Sequence, residues 1–276
     1  MNRLFQQIES DLASYERLTG RPWSAAKVLE IGYGARPNRM MALMGMGVDV
    51  WGIDLDQPML RFNPATLSCI VQRNGVERAL KSVARNVLFD RRDRAKLAVA
   101  LQQRGYQYSI DFKRFLVGDA STFDFGNARF DLVYSTDVFE HIPADALEVL
   151  VERLARLVSP LGMAIITPNV FPGITGGHLP EWYGDVVDSE TERQSEPWEH
   201  LRKKRFVANS YLNGLSRASY RDLFSRHFHV LYEKSLQPDL GRKWLTPEVR
   251  ADLNSWSEDE LFSNNVEFAL QPLPYN

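Results

Sequence analysis

The most constraining feature of this chain is a recurring order: a short apolar run, an abrupt stop in glycine or polar residues, then a helical pattern. Residues 27–31 (KVLEI) stop at Gly32-Tyr33-Gly34, and helical spacing resumes over 39–46. Residues 48–53 end at Asp54, 115–117 at Gly118-Asp119, 130–134 at Ser135-Thr136-Asp137 and 163–166 at Thr167-Pro168-Asn169. Apolar runs of this length, interleaved with helices, need burial on both faces, so they predict a mostly parallel α/β sheet that is doubly wound. Runs that all stop in polar residues fit a ligand crevice at the carboxyl ends of the strands. Residues 229–234 and 266–271 add two strands, the last antiparallel at the sheet edge, for a seven-stranded mixed sheet. An amphipathic pattern over 3–18 (Leu4, Phe5, Ile8, Leu12, Tyr15) predicts a covering helix.

Three segments exceed this minimal pattern within what is expected to be one domain over 1–276. Residues 61–113 are too long for a simple connection, and Val76, Leu80, Val83, then Leu97, Val99 and Leu101 predict an inserted helical element. Residues 170–213, with Gly173, Gly176, Gly177 and several aromatics, have the composition of a substrate lid. Residues 245–262 predict a second helical insertion, with Thr246 as N-cap ahead of Pro247.

The 276 residues contain a single cysteine, Cys69, which excludes an internal disulfide or a thiolate cluster and suggests a reducing compartment. Thirty-three Lys and Arg against 35 Asp and Glu give a net charge of −2, which argues against a general nucleic-acid binder. The acid-bearing first residues do not read as a secretory leader, and no run is long enough to span a membrane, so a cytoplasmic protein is expected.

Gly32-x-Gly34 after a strand lets backbone N–H groups approach a ligand, and Asp54 follows Gly32 by 22 residues, a spacing suited to a ribose diol. Arg36 and Pro37 stand where a dinucleotide fingerprint has its third glycine, which weakens a nicotinamide-dependent oxidoreductase. Residues 28–34 (VLEIGYG), 52–56 (GIDLD), Gly118-Asp119-Ala120, 130–141 (FDLVYSTDVFEH) and 159–162 (SPLG) then occur in the order of a known family. Together they resemble the class I S-adenosylmethionine-dependent methyltransferases, of Rossmann-like fold. The resemblance implies S-adenosyl-L-methionine as cofactor. It places Glu30 at the methionine end, Gly32, Tyr33 and Gly34 at the turn, Asp54, Leu55 and Asp56 at the ribose, Asp119 and Ala120 at the adenine, and Ser135 and Thr136 beside them. Arg36 departs from the family pattern and would set a cation near the cofactor's carboxylate. Asp54, Asp56 and Asp119 are also common turn and cap formers.

Methylating an alcohol requires an aligned acceptor and removal of its proton. Asp137, Glu140 and His141, at i, i+3 and i+4, are expected on one face of a helix after strand four, where they could hold a divalent cation such as Mg²⁺. There the chain resembles the ubiquinone-pathway and small-RNA 2′-O-methyltransferases, whose motif has Glu at the position of Asp137. His178, in a glycine-flanked loop, is the expected general base, with His141 and His200 as further candidates. Trp182, Tyr183, Trp198 and Tyr211 in the lid suit a sugar or planar acceptor, or else form the lid's own core.

Charge is uneven. Residues 73–114 hold eleven Lys or Arg against four acids, and 181–199 hold seven acids against Arg193. The first segment could meet an anionic, nucleotide- or diphosphate-linked acceptor; the second could close on it or on another subunit of a homo-oligomer. The expected activity is O-methylation of a small polyhydroxylated acceptor in carbohydrate biosynthesis. The alternatives are metal-dependent methylation of a diol or phenol, N- or carboxyl-methylation, an oxidoreductase, and a non-catalytic cofactor-binding protein.

Overall fold

In the computed structural model, β1 (Lys27–Ile31), β2 (Asp49–Asp54) and β3 (Phe115–Val117) pair in parallel, with Glu30 beside Gly52 and Asp54 beside Val117. The structure describes residues 1–60, 67–68, 71–72, 75–77, 80, 83–84, 86–204 and 211–274. Cys69 and several basic positions of the 73–114 segment (73, 78, 81 and 85) lie outside the described residues.

The remaining strands are β4 (Phe130–Thr136), β5 (Val158–Thr167), β6 (Phe228–Ser235) and β7 (Val266–Pro272). The seven strands form one mixed sheet in the order β3-β2-β1-β4-β5-β7-β6. The last strand is antiparallel, as expected, pairing with both β5 and β6. It is not the edge strand, however: it lies one place in, and β6 takes the edge.

The chain divides into two compact units, Met1–Tyr134 with Leu161–Met163, and Ser135–Pro160 with Ala164–Asn276. In the first, helix α1 (Asn2–Thr19) buries Phe5, Ile8, Leu12 and Tyr15 and ends at Gly20, whose φ of 69° is the left-handed stop that glycine supplies. Helix α2 (Asn38–Gly45) buries Met40, Met41, Ala42 and Leu43, and helix α3 (Arg91–Gln102) buries Leu97, Ala100 and Leu101. Residues 67–68, 71–72, 75–77, 80 and 83–84 of the expected insertion are helical.

In the second unit, helix α4 (Ala144–Leu157) buries Leu147, Leu150, Val151 and Leu154, and helix α5 (Arg217–Ser225) buries Tyr220, Leu223 and Phe224. Trp182, Val187 and Trp198 share a core with Val249, Leu253, Leu261 and Phe262, so the 170–213 and 245–262 segments are packed on each other. Thr246 caps the helix Pro247–Asp252 by accepting from the Val249 N–H. Among the described residues, no helix is long and apolar enough to cross a membrane.

Candidate active site

The first unit carries a cradle built on the ends of β1 and β2. Gly32 and Gly34 have φ of 76° and 66°, a backbone path that side chains resist. The turn is fixed by Asp54, whose carboxylate accepts from Gly34 N and Asp56 N, each at 2.8 Å. Opposite Glu30 in the register, Gly52 leaves room for its neighbours: a Cβ there would stand 2.2 Å from Met40 Sδ and 2.7 Å from Tyr33 Cδ1.

Glu30 is buried, and its Oε2 has no hydrogen-bond partner among the described residues. Burial pushes its carboxyl up to about 7, against the opposing pull of Arg39. A buried carboxyl with an unmet oxygen is costly unless a cation meets it, so the site fits a ligand bearing an amine. Leu55, 68% exposed beside Asp54, offers an apolar surface for a planar ring.

Other residues expected at the cofactor have local partners. Tyr33 is buried, and its hydroxyl donates to Leu116 O at 2.8 Å, which makes it a packing residue. Arg36 pairs with Asp90 at 3.1 Å and Asp93 at 3.6 Å, so its charge is already engaged. Asp119 accepts from Ser121 N and Oγ and shapes its own turn, which Ala120 follows. Ser135 is buried at the end of β4, with Thr136 after it.

The second unit assembles a different cluster. The helix expected to begin near Asp137 starts only at Ala144; Phe139–His141 form one 3₁₀ turn instead. Asp137 takes the left-handed region, with φ of 54°, and its carboxylate accepts from Asn265 Nδ2 at 2.7 Å. The expected face of Asp137, Glu140 and His141 is therefore not formed. His178 joins Glu140 and His141 in its place: one ligand atom from each lies within 4.8 Å of the others.

His178 also has a left-handed backbone, with φ of 52°, a strained state for a residue with a Cβ. Its ring meets His141 edge-on at 5.0 Å and Tyr183 at 5.7 Å. Burial, with His141 beside it, lowers its pKa to about 4, while burial and nearby Asp137 raise Glu140 to about 8. His141 Nδ1 lies 2.9 Å from Tyr211 O; donation there leaves Nε2 with its lone pair. Asn213 holds the turn by donating from Nδ2 to Phe139 O at 2.8 Å.

His200, expected as a further base, is 3% exposed, with Nε2 against Phe171 O at 2.9 Å, and serves packing. Trp182 and Trp198 are likewise core, their indole N–H groups donating to Ser195 Oγ and Pro172 O. Among the described residues, Tyr183 and Tyr211 are the exposed lid aromatics.

Asn169 belongs to this cluster although its residue type does not announce it. Its N–H donates to Glu140 Oε1, and its Nδ2 is buried without a partner among the described residues, as are Glu140 Oε2 and His178 Nε2. Its place at the polar end of a strand is the only sequence signal that points to it.

Residues 74–166 match a family model described as a methyltransferase domain. The match includes Gly118-Asp119 and Asp137–His141; Glu30, the glycine turn and Asp54 precede it. No curated protein matches the chain. Among solved structures, a chain in the complex of the Haloferax volcanii Trm112 methyltransferase activator with a methyltransferase is 19% identical, with TM-score 0.50, over 99% of this chain and 92% of that one. A TehB-like S-adenosylmethionine-dependent methyltransferase from Corynebacterium glutamicum is 15% identical, with TM-score 0.44, over 98% and 96%. The Burkholderia thailandensis 1,6-didemethyltoxoflavin-N1-methyltransferase is 16% identical, with TM-score 0.47, over 95% and 76%. These are likenesses of fold.

Proposed function

We propose that this chain, whose residues 74–166 match a methyltransferase domain model, is a class I S-adenosylmethionine-dependent methyltransferase that methylates a hydroxyl group of a small polyhydroxylated acceptor, a sugar or glycan intermediate. The observation that carries the reading is the convergence of Glu140, His141 and His178 with buried, unmet polar atoms. Bound S-adenosylmethionine supplies a methyl group already activated on a sulfonium.

Glu30 would hold the cofactor's amine, and Asp54, beside Leu55 and Asp56, its ribose. His178 Nε2 would accept the proton that an acceptor hydroxyl gives up on methylation. His178 keeps its lone pair at neutral pH, and the protonated carboxyl of Glu140 lies 4.0 Å away. Tyr183 and Tyr211 offer aromatic surfaces for a sugar face. The reading is tested by S-adenosylhomocysteine release with hydroxyl, amine and carboxyl acceptors; turnover of amines or carboxylates alone would reject it.

One observation favours a second reading. The spacing of Glu140, His141 and His178 suits a divalent cation, which would lower the pKa of the acceptor hydroxyl. Two imidazoles among three ligands suit Mn²⁺ better than Mg²⁺. Rates unchanged by EDTA, with no Mn²⁺ binding by calorimetry, would remove this reading.

A further inference from the structure

Helix α3 (Arg91–Gln102) continues directly from the π-helical turn Asn86–Asp90 and gathers Arg91, Arg92, Arg94 and Lys96 in its first half. The neighbouring acids Asp90 and Asp93 are engaged by Arg36. Arg91, Arg92 and Lys96 are exposed and make no ion pair among the described residues.

The same face is apolar where it is not basic. Arg92, Lys96 and Val99 recur at i, i+4 and i+7 on one face of α3, and Phe89 stands in the π-helical turn Asn86–Asp90 that runs directly into it. Phe89 is 55% exposed and Val99 53%. Among the described residues, seven of the fourteen exposed large apolar side chains fall between Val71 and Phe112. A cleft of about 450 Å³ lined by Met1, Lys96, Val99 and Gln103 opens along this face.

We propose that this stripe docks the protein on an anionic phospholipid bilayer, with Arg91, Arg92 and Lys96 at headgroup phosphates and Phe89 and Val99 entering the acyl boundary. A polyanion would satisfy the cations and leave the apolar side chains wet; an apolar partner would do the reverse. The bilayer interface supplies phosphate and hydrocarbon at the depth of one helix face. A net charge of −2 also disfavours nucleic acid as the occupant. The proposal is independent of which acceptor is methylated.

The test is co-sedimentation of the full chain with vesicles of phosphatidylglycerol and phosphatidylcholine, against phosphatidylcholine alone. Binding is expected only to the anionic vesicles and is lost at high salt. Arg91→Glu/Arg92→Glu/Lys96→Glu should weaken partition by about a hundredfold. All three positions are exposed, so the melting temperature of that variant should stay close to that of wild type. Phe89→Ser should weaken binding while keeping its salt dependence. Equal binding to neutral vesicles, no binding to anionic ones, or partition within about twofold of wild type in the triple variant would overturn the proposal. So would a concentration-dependent dimer that the triple variant abolishes, which would assign the face to a second copy.

Discussion

Glu140 Oε1 lies 4.0 Å from His178 Nε2, a buried carboxyl and a half-buried imidazole whose pKa values are displaced in opposite directions, to about 8 and about 4. Both are thereby neutral at pH 7, and each keeps a polar atom without a partner among the described residues. Such divergence between adjacent titratable groups is characteristic of acid–base sites.

His178→Asn tests the imidazole while keeping a residue that tolerates the left-handed backbone. Turnover should fall by about 10² to 10⁴. Cofactor affinity, read by calorimetry, should stay within about a factor of two. Equal losses in both would make His178 structural.

Glu30 links cofactor binding to pH. Its carboxyl is held at about 7 and must ionise to meet an amine, so affinity should climb as pH rises toward 7 and level off above it. Glu30→Gln should remove that slope and weaken binding by about 10- to 100-fold. A slope that persists in the variant would place the linked proton elsewhere.

Stability should also follow these groups. Glu140, raised from 4.5 to about 8, contributes stability that is full below 4.5 and lost as pH rises toward 8. His178 and His200, lowered from 6.5 to about 4, contribute stability that is present above 6.5 and lost as pH falls toward 4. Melting temperature should therefore decline from about pH 6.5 to about pH 8, and Glu140→Gln should flatten that limb.

Much of the fold was legible because strand ends and helix faces are local signals. β1 and β3 fall where their apolar runs stand, and Thr246 caps the helix its sequence announces. The cluster was less legible. Asp137, Glu140 and His141 have helical spacing, yet the left-handed Asp137 and the 3₁₀ turn break that face, and His178 arrives from a loop 37 residues beyond His141. Nothing local distinguishes buried Trp182 from its exposed neighbour Tyr183 either; that depends on packing against Val249 and Phe262.

Gly176→Ala should strain the base of the lid. A Cβ there would stand 2.1 Å from Phe171 O, a backbone atom that cannot rotate away. Chemical unfolding should show a loss of about 1–3 kcal/mol. A neutral result would mean that residues 171–176 shift easily.

The most direct measurement follows the transferred methyl group. The enzyme is incubated with S-adenosylmethionine carrying a ¹³C-labelled methyl group and a panel of sugars, amines and carboxylic acids, and the product is read by carbon NMR. An O–CH₃ signal is expected that wild type produces and His178→Asn does not. An N–CH₃ or methyl-ester signal in its place, undiminished by the substitution, would contradict it.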